Sequence, residues 1–118
     1  MNWLLVFIGG GLGSTARYAI STATKGMMPF PIGTLTVNVF GSFLMGMLVT
    51  FLIGKSFSEP ARLLLAVGFL GGFTTFSSFS IETLTLFEKG NVLAAMSNVL
   101  LNLLLGLSAV WLGVRVMS

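Results

Sequence analysis

The sequence predicts an all-α membrane protein with four transmembrane helices, the third of them broken, assembled as an antiparallel dual-topology homodimer. Hydrophobic residues make up 55% of its 118 residues and charged residues 8%, with a mean hydropathy of +1.02. Soluble domains carry about 25% charged residues. The charges are spaced so that residues 1–16, 26–54, 63–81 and 90–114 carry none. Since a spanning helix needs about 20 predominantly apolar residues, each run is long enough for most or all of one span.

The four uncharged runs place the spans at about 2–24, 34–54, 62–87 and 91–115, within a single transmembrane domain covering residues 1–118. The connections, at about 25–33, 55–61 and 88–90, are too short for a soluble domain. A β-barrel is disfavoured because its strands are about ten residues long. A signal peptide is the alternative for the first span, but nothing basic precedes its apolar run and three spans follow.

Composition excludes several functional classes. The chain has no cysteine and no histidine, which removes thiol nucleophiles, thiolate and imidazole metal sites, haem ligation and imidazole general bases. We therefore expect no enzyme. The six lysines and arginines are scattered and form no basic patch, so we also expect no nucleic-acid partner.

The basic residues are evenly divided between the two sides of the membrane. One side collects Lys55, Arg62 and Arg115, and the other collects Lys25, Lys89 and, by its position, Arg17. Orientation normally follows an excess of Lys and Arg in cytoplasmic loops, so a balanced count favours insertion in both orientations. Oppositely inserted copies that pair through one shared surface form a two-fold dimer with its axis in the membrane plane. The alternative is a single orientation set by Arg17 or local context.

Small and polar residues mark the helix faces that meet other helices. Gly9 with Gly13, and Gly68 with Gly72, have the spacing that lets helices approach closely in lipid. Two polar stripes also step by four residues: Thr34, Asn38 and Ser42 in the second span, and Ala94, Asn98, Asn102 and Gly106 in the fourth. Such stripes either hydrogen-bond between helices or line a polar path. Arg17, about three turns into the first span, either snorkels to the interface or holds a structural or vestibule position.

The stretch GGFTTFSSFS, residues 71–80, is unusually polar for the middle of a span. It predicts a break at Gly71–Thr75, with the second half-helix starting around Thr75 or Phe76. Unwound backbone at membrane depth is tolerated only where it is buried in protein or lines a cavity, and its carbonyls then coordinate cations while half-helix N-termini attract anions. We therefore expect an ion site near the midplane.

Phe76 and Phe79 are three residues apart and so lie on one face of the second half-helix, beside several serines. The edge of an aromatic ring is partly positive, so such a pair could contact a small anion. Packing against protein or lipid is the alternative.

Three segments, GSTARY at 13–18, PIGTLTVNVFGSFLMG at 31–46 and GFLGGFTTFSSFSIET at 68–83, resemble the Fluc (CrcB) family of fluoride channels. The resemblance implies a dual-topology dimer with two pores at the interface in a bacterial inner membrane. It implies that Phe76 and Phe79 line the fluoride pathway and that Asn38 donates its amide to fluoride. It also places some of Ser77, Ser78 and Thr83 in a polar track beside the pore.

The resemblance further implies one structural sodium ion on the two-fold axis, held by the main-chain carbonyls of Gly71 and Thr74 from each subunit. Family members often carry a hydroxyl residue near the middle of the fourth helix. Here that stretch reads NLLLGLSAV, which leaves open whether Asn102, Ser108 or neither takes that position.

The resulting interpretation is passive export of fluoride down its electrochemical gradient. The alternative is a small proton-coupled multidrug exporter, which needs an acid within the membrane, usually in the first helix. The first span has no acid, and Glu82 is the candidate elsewhere. A third possibility, a non-transporting subunit of a larger complex, leaves the hydroxyl-rich break without a purpose.

Overall fold

The computed structural model describes residues 1–54 and 58–118, in which every regular element is helical and no strand occurs. Its elements are α1 (Asn2–Thr24), α2 (Ile32–Gly54), α3 (Glu59–Arg62), a π-helix π1 (Leu63–Leu70), α4 (Gly71–Phe73), α5 (Ser77–Glu88) and α6 (Val92–Met117). The elements α3, π1 and α4 follow one another without interruption and are called here the first half-helix, residues 59–73. Lys55 and the start of the expected connection at 55–61 lie outside the described residues.

Three of the four expected spans are confirmed as helices long and apolar enough to cross a membrane. Within the described residues these are Ile32–Leu52, Glu59–Glu88 and Val92–Met117. Helix α1 begins and ends close to the expected bounds and has 23 residues, but it is less apolar than the other three. Its glycines, hydroxyl residues and Arg17 account for the difference.

Turns between the spans use glycine where the backbone enters the left-handed region. Gly26 (φ 82°) follows α1, and Gly90 (φ 81°) separates α5 from α6. At the start of the first half-helix, the Ser58 side chain accepts a hydrogen bond from the Ala61 amide, and Arg62 pairs with Glu59 (Nη2 to Oε1, 2.6 Å). Such exposed pairs contribute little, so these contacts define the helix start rather than hold the fold together.

The third span is broken, but later than the sequence predicts. The expected break at Gly71–Thr75 is wrong for Gly71 and Gly72, which are helical, and the chain leaves the helix only at Thr74–Phe76. The second half-helix is expected to start around Thr75 or Phe76, and α5 begins one residue later, at Ser77. Glycine permits a break but does not require one. Gly72 instead allows close packing, since an added Cβ would lie 2.6 Å from the Gly10 carbonyl oxygen of α1.

The π-helix is a feature that hydropathy does not reveal. Eight consecutive residues, Leu63–Leu70, have the wider π geometry, which is rare in proteins and usually limited to single turns. Helix α1 packs along this segment and along α4. The expected glycine contacts are observed there, because a Cβ on Gly68 would lie 3.0 Å from the Gly9 Cα. Helix α2 packs along α6 in the same way, with Gly46 against the backbone of Val110 and Gly113 against that of Phe43.

Gly13→Ala is expected to destabilise the protein strongly. Its Cβ would fall on the Phe69 carbonyl oxygen and 2.9 Å from the Phe73 amide nitrogen, so α1 would have to move away from the first half-helix. Overpacking of this kind costs about 1–3 kcal/mol. Thermal unfolding in detergent measures the effect. Gly11→Ala is the matched control, because nothing lies within 4 Å of its Cβ and alanine favours the helix. Equal melting temperatures for the two variants would contradict this packing role.

Candidate functional site

The Asn38 side chain bonds the backbone at the break in the third span. Thr74 is extended (φ −86°, ψ 159°), and the Thr75 amide donates to Asn38 Oδ1 at 2.8 Å. In return Asn38 Nδ2 donates to the Thr75 carbonyl oxygen at 3.0 Å. One carboxamide on α2 therefore replaces both backbone partners that Thr75 would have in a continuous helix. This satisfies polar backbone groups that would otherwise be costly at membrane depth.

Three carbonyl groups next to the break lack the amide partner that a continuous helix would give them. The Thr75 amide, the usual partner of the Gly71 carbonyl, donates to Asn38. The Ser78 amide, the usual partner of the Thr74 carbonyl, donates to Thr75 Oγ1 at 3.2 Å. The Gly72 carbonyl accepts a hydrogen bond from Arg17 Nε at 3.1 Å. Arg17 therefore contacts the end of the first half-helix.

A chain of side-chain amides continues from Asn38 into the fourth span. Asn38 Nδ2 also donates to Asn102 Oδ1 (3.0 Å), and Asn102 Nδ2 donates to Asn98 Oδ1 (3.0 Å). Asn98 Nδ2 donates to Thr83 Oγ1 (2.8 Å), whose hydroxyl donates to the Phe79 carbonyl oxygen (2.7 Å). This chain, called here the amide relay, links the break to α6 and then to α5.

Phe76 and Phe79 lie next to each other at the start of α5. Their ring centroids are 5.4 Å apart and the ring planes are tilted by 55°. Phe79 is buried, with 8% of its surface exposed, whereas Phe76 is 76% exposed on the chain surface. The pair therefore consists of one ring anchored within the subunit and one that projects from it.

The two rings line a recess of about 470 Å³, called here the aromatic recess. Its lining residues are Asn38, Gly41, Ser42, Met45, Gly71, Thr74, Thr75, Phe76, Phe79, Asn102, Leu103 and Val110. The structure thus brings together the predicted residues Phe76, Phe79, Asn38, Gly71 and Thr74 at one place. It does not bring Ser77, Ser78 or Thr83 into the recess, and Ser77 is exposed.

The two candidate positions in the fourth span differ clearly. Asn102 lines the aromatic recess, while Ser108 is exposed and does not line it. The sequence identifies Asn98 only as part of a polar stripe. In the structure it is fully buried and hydrogen-bonded to Asn102 and to Thr83. Its spacing of four from Asn102 is the sequence signal that places the two amides on one face.

Glu82 lies in a separate recess of about 460 Å³ that is also lined by Lys25 and Thr34. Its Oε1 is buried and has no hydrogen-bond partner among the described residues. Among those residues there is no group of three or more His, Cys, Asp or Glu that could hold a metal ion.

A set of membrane-length helices, one of them interrupted so that its freed backbone borders a polar and aromatic recess, defines a membrane transport protein of the channel or transporter class. The family model described as CrcB-like protein, Camphor Resistance (CrcB), matches residues 4–114. The chain belongs to this CrcB family. It is a multi-pass membrane protein.

Several curated relatives are similar over nearly the whole chain. A protein of Coxiella burnetii (strain Dugway 5J108-111) is 49% identical over 120 residues, covering 98% of this chain and 97% of the relative. One of Saccharophagus degradans is 48% identical over 92% of this chain and 83% of its own length. One of Solibacter usitatus is 47% identical over 96% and 95%. Each carries the name "Fluoride-specific ion channel FluC".

Proposed function

We propose that this protein is a fluoride-specific ion channel of a bacterial inner membrane, and not an enzyme, and that it gives passive export of cytoplasmic fluoride. The observation that carries the proposal is the meeting of the Phe76–Phe79 pair with the Asn38-bound break in one recess. The choice of fluoride as the permeating ion rests on the names of the relatives. An exporter coupled to protons would need a different feature, an acid placed to exchange protons with its substrate, and the aromatic recess has none.

Fluoride would pass the rings partly dehydrated, in contact with their partly positive edges. Conduction requires contacts strong enough to admit the ion and weak enough to release it. A ring edge meets this requirement better than a lysine or arginine, which would bind a small anion too tightly. The aromatic recess contains no charged side chain.

Asn38 would reach fluoride only by exchanging a partner. Both of its amide hydrogens are bonded, one to the Thr75 carbonyl and one to Asn102 Oδ1. The bond to Asn102 is the one that fluoride could replace, because Asn38 would still bond the Thr75 amide and carbonyl. Some of Ser77, Ser78 and Thr83 would form the track beyond the recess. Of these, Thr83 has its hydroxyl hydrogen on the Phe79 carbonyl, so it too would have to exchange.

We propose that a second copy, inserted upside down, closes the recess. Phe76 and Gly71 are exposed on the chain surface beside the recess, which is open on that side. An antiparallel dimer would cover them and produce two equivalent pathways at the interface. Helix α1 would serve as the first span and complete the set of four, since 23 residues of helix reach about 35 Å. A reporter fused to the C-terminus should then be detected on both sides of the membrane, and detection on one side only would contradict this assembly.

The same assembly would bring two copies of the Gly71 and Thr74 carbonyls together. These carbonyls have lost their usual amide partners to Asn38 and to Thr75 Oγ1, and such oxygens suit a sodium ion. Gly72, whose carbonyl bonds Arg17, would not take part. The proposed cofactor is therefore one structural sodium ion at the dimer axis.

Replacing sodium by a larger organic cation is expected to lower the melting temperature of the dimer. A ligand at about 100 times its dissociation constant contributes about 2.7 kcal/mol. Melting is followed in detergent at constant ionic strength, with Gly11→Ala as a variant that leaves the site intact. A melting temperature that is the same in both cations would argue against the carbonyl site.

The experiment that tests the proposed function is fluoride efflux from vesicles reconstituted with the purified protein, recorded with a fluoride-selective electrode. We expect rapid fluoride efflux once the membrane potential is clamped. Matched vesicles loaded with chloride should release no chloride, as recorded with a chloride-selective electrode. Fluoride retention in vesicles that contain folded protein would overturn the proposal. Release of protons from the vesicles when a cationic drug is added outside would instead support the proton-coupled exporter.

A further inference from the structure

Asn98 is the most deeply buried polar side chain of the fourth span. It has no exposed surface, and it does not line the aromatic recess. Burying an amide without hydrogen bonds costs several kcal/mol, so a buried asparagine in a membrane helix needs a partner for each polar atom. Asn98 has them: its Oδ1 accepts from Asn102 and its Nδ2 donates to Thr83.

The amide relay has a fixed direction that starts from the backbone. The Thr75 amide can only donate and its carbonyl can only accept, which sets the orientation of the Asn38 carboxamide. Asn38 then presents an N–H to Asn102, so Asn102 must place its oxygen there and its nitrogen toward Asn98. By the same rule Asn98 must present its nitrogen to Thr83. Each amide therefore orients the next.

The last step of the relay reaches the backbone carbonyl of Phe79, which carries one of the two rings. Since Thr83 Oγ1 accepts from Asn98, its own hydrogen is directed to the Phe79 carbonyl, one turn earlier in α5. Phe79 is the anchored ring of the pair that lines the aromatic recess. The relay thus connects Thr75, in the break, to the first turn of α5 by way of α6. The backbone makes no helical hydrogen bonds through the break itself.

We infer that Asn98 is a positioning residue for permeation: through Asn102 and Asn38 on one side and Thr83 on the other, it fixes the break and the Phe79 ring relative to each other. Asn98 itself contacts no ion, because it is fully buried and outside the recess. This inference rests on the proposed function for its effect on fluoride, whereas the relay can be tested without any transport.

The first measurement tests the relay alone, by the side-chain amide resonances of protein labelled with nitrogen-15 at asparagine. Thr83→Val removes the acceptor of the Asn98 amide with little change in volume. We expect it to shift the side-chain resonances of Asn98, Asn102 and Asn38, and Thr83→Ser to restore them. Asn2 and Asn91, both exposed, provide internal controls that should not move. An Asn38 resonance unchanged by both Thr83→Val and Asn98→Leu would overturn the relay.

The second measurement is fluoride efflux per reconstituted channel. We expect Asn98→Leu and Thr83→Val each to slow efflux by about tenfold, equivalent to about 1.4 kcal/mol on the barrier. If both act through one chain, the double variant should be no more than about twofold slower than the slower single variant. Ser108→Ala, on the exposed side of the same helix, is the matched control and should conduct like the wild type.

The outcomes separate this inference from the proposed function. Shifted Asn38 resonances with normal efflux in the variants would overturn the positioning role while leaving the channel intact. A wild type that does not conduct fluoride would overturn the proposed function, and the resonances would still decide whether Asn98 orients the break. Should Asn98→Leu fail to fold, Thr83→Val, which lies outside the fourth span, tests the same relay.

Discussion

Phe79→Ile and Phe76→Ile are each expected to abolish measurable fluoride efflux while the protein still folds. Isoleucine keeps most of the apolar volume but has no ring and therefore no partly positive edge. The rings are 5.4 Å apart at the wall of the aromatic recess, so each faces the space that an ion would occupy. Efflux from vesicles is the measurement, with the oligomeric state and melting temperature recorded in parallel.

Phe87→Ile is the matched control for the ring variants. Phe87 lies in the same helix, is 57% exposed and does not line the recess, so its replacement should leave efflux unchanged. Efflux at the wild-type rate in Phe76→Ile or Phe79→Ile would refute the role given to that ring. Loss of efflux in all three variants would instead indicate a general requirement for aromatic rings in the second half of this span.

Asn38→Leu is expected both to destabilise the protein and to abolish efflux. The substitution removes the bonds to the Thr75 amide and carbonyl and to Asn102. Each buried polar group left unpaired costs about 1–3 kcal/mol, and Thr75 alone would have two. The break would then have to close into a helix or take up water, and either change displaces Phe76. Melting temperature and efflux are measured on the same preparation.

Thr36→Val serves as the control on the same helix. Thr36 is exposed, and its hydroxyl bonds only the Ile32 carbonyl one turn earlier, so its loss should change neither property. Asn38→Asp separates the two roles of the amide, because it keeps the acceptor for the Thr75 amide but removes both donors. An Asn38→Leu protein with wild-type melting and efflux would show that the break does not depend on this clamp.

Hydropathy and charge spacing predicted the membrane helices well, because lipid allows few arrangements of the backbone. Segments without charge must be helical to satisfy their own hydrogen bonds, and the observed helices begin and end within a few residues of the expected spans. The first span was expected from its length, and its lower hydropathy follows from the glycines that pack it against the first half-helix. The lengths and polarity of the segments therefore predicted most of the helix boundaries.

The position of the break shows where local reasoning stopped working. Glycines at 71 and 72 suggested that the helix would end there, yet both are helical and the chain unwinds at Thr74–Phe76. The partner that decides this position is Asn38, which is 37 residues away and selects the Thr75 backbone. The π-helix likewise has no signature in composition. Local propensity gives only a weak preference that tertiary hydrogen bonds override.

The sequence by itself determined a bundle of membrane helices, an interruption in the third one and, through the resemblance of three segments, the family and the ring pair Phe76 and Phe79. These follow from solvent compatibility and from motifs that are local in the chain. Only the tertiary structure decided that the break lies at Thr74–Phe76, that Arg17 bonds the Gly72 carbonyl, and that Asn98 bonds both Asn102 and Thr83. The physical reason is that each of these hydrogen bonds depends on the distance and direction between atoms on different helices. The sequence of a single helix specifies neither of these quantities.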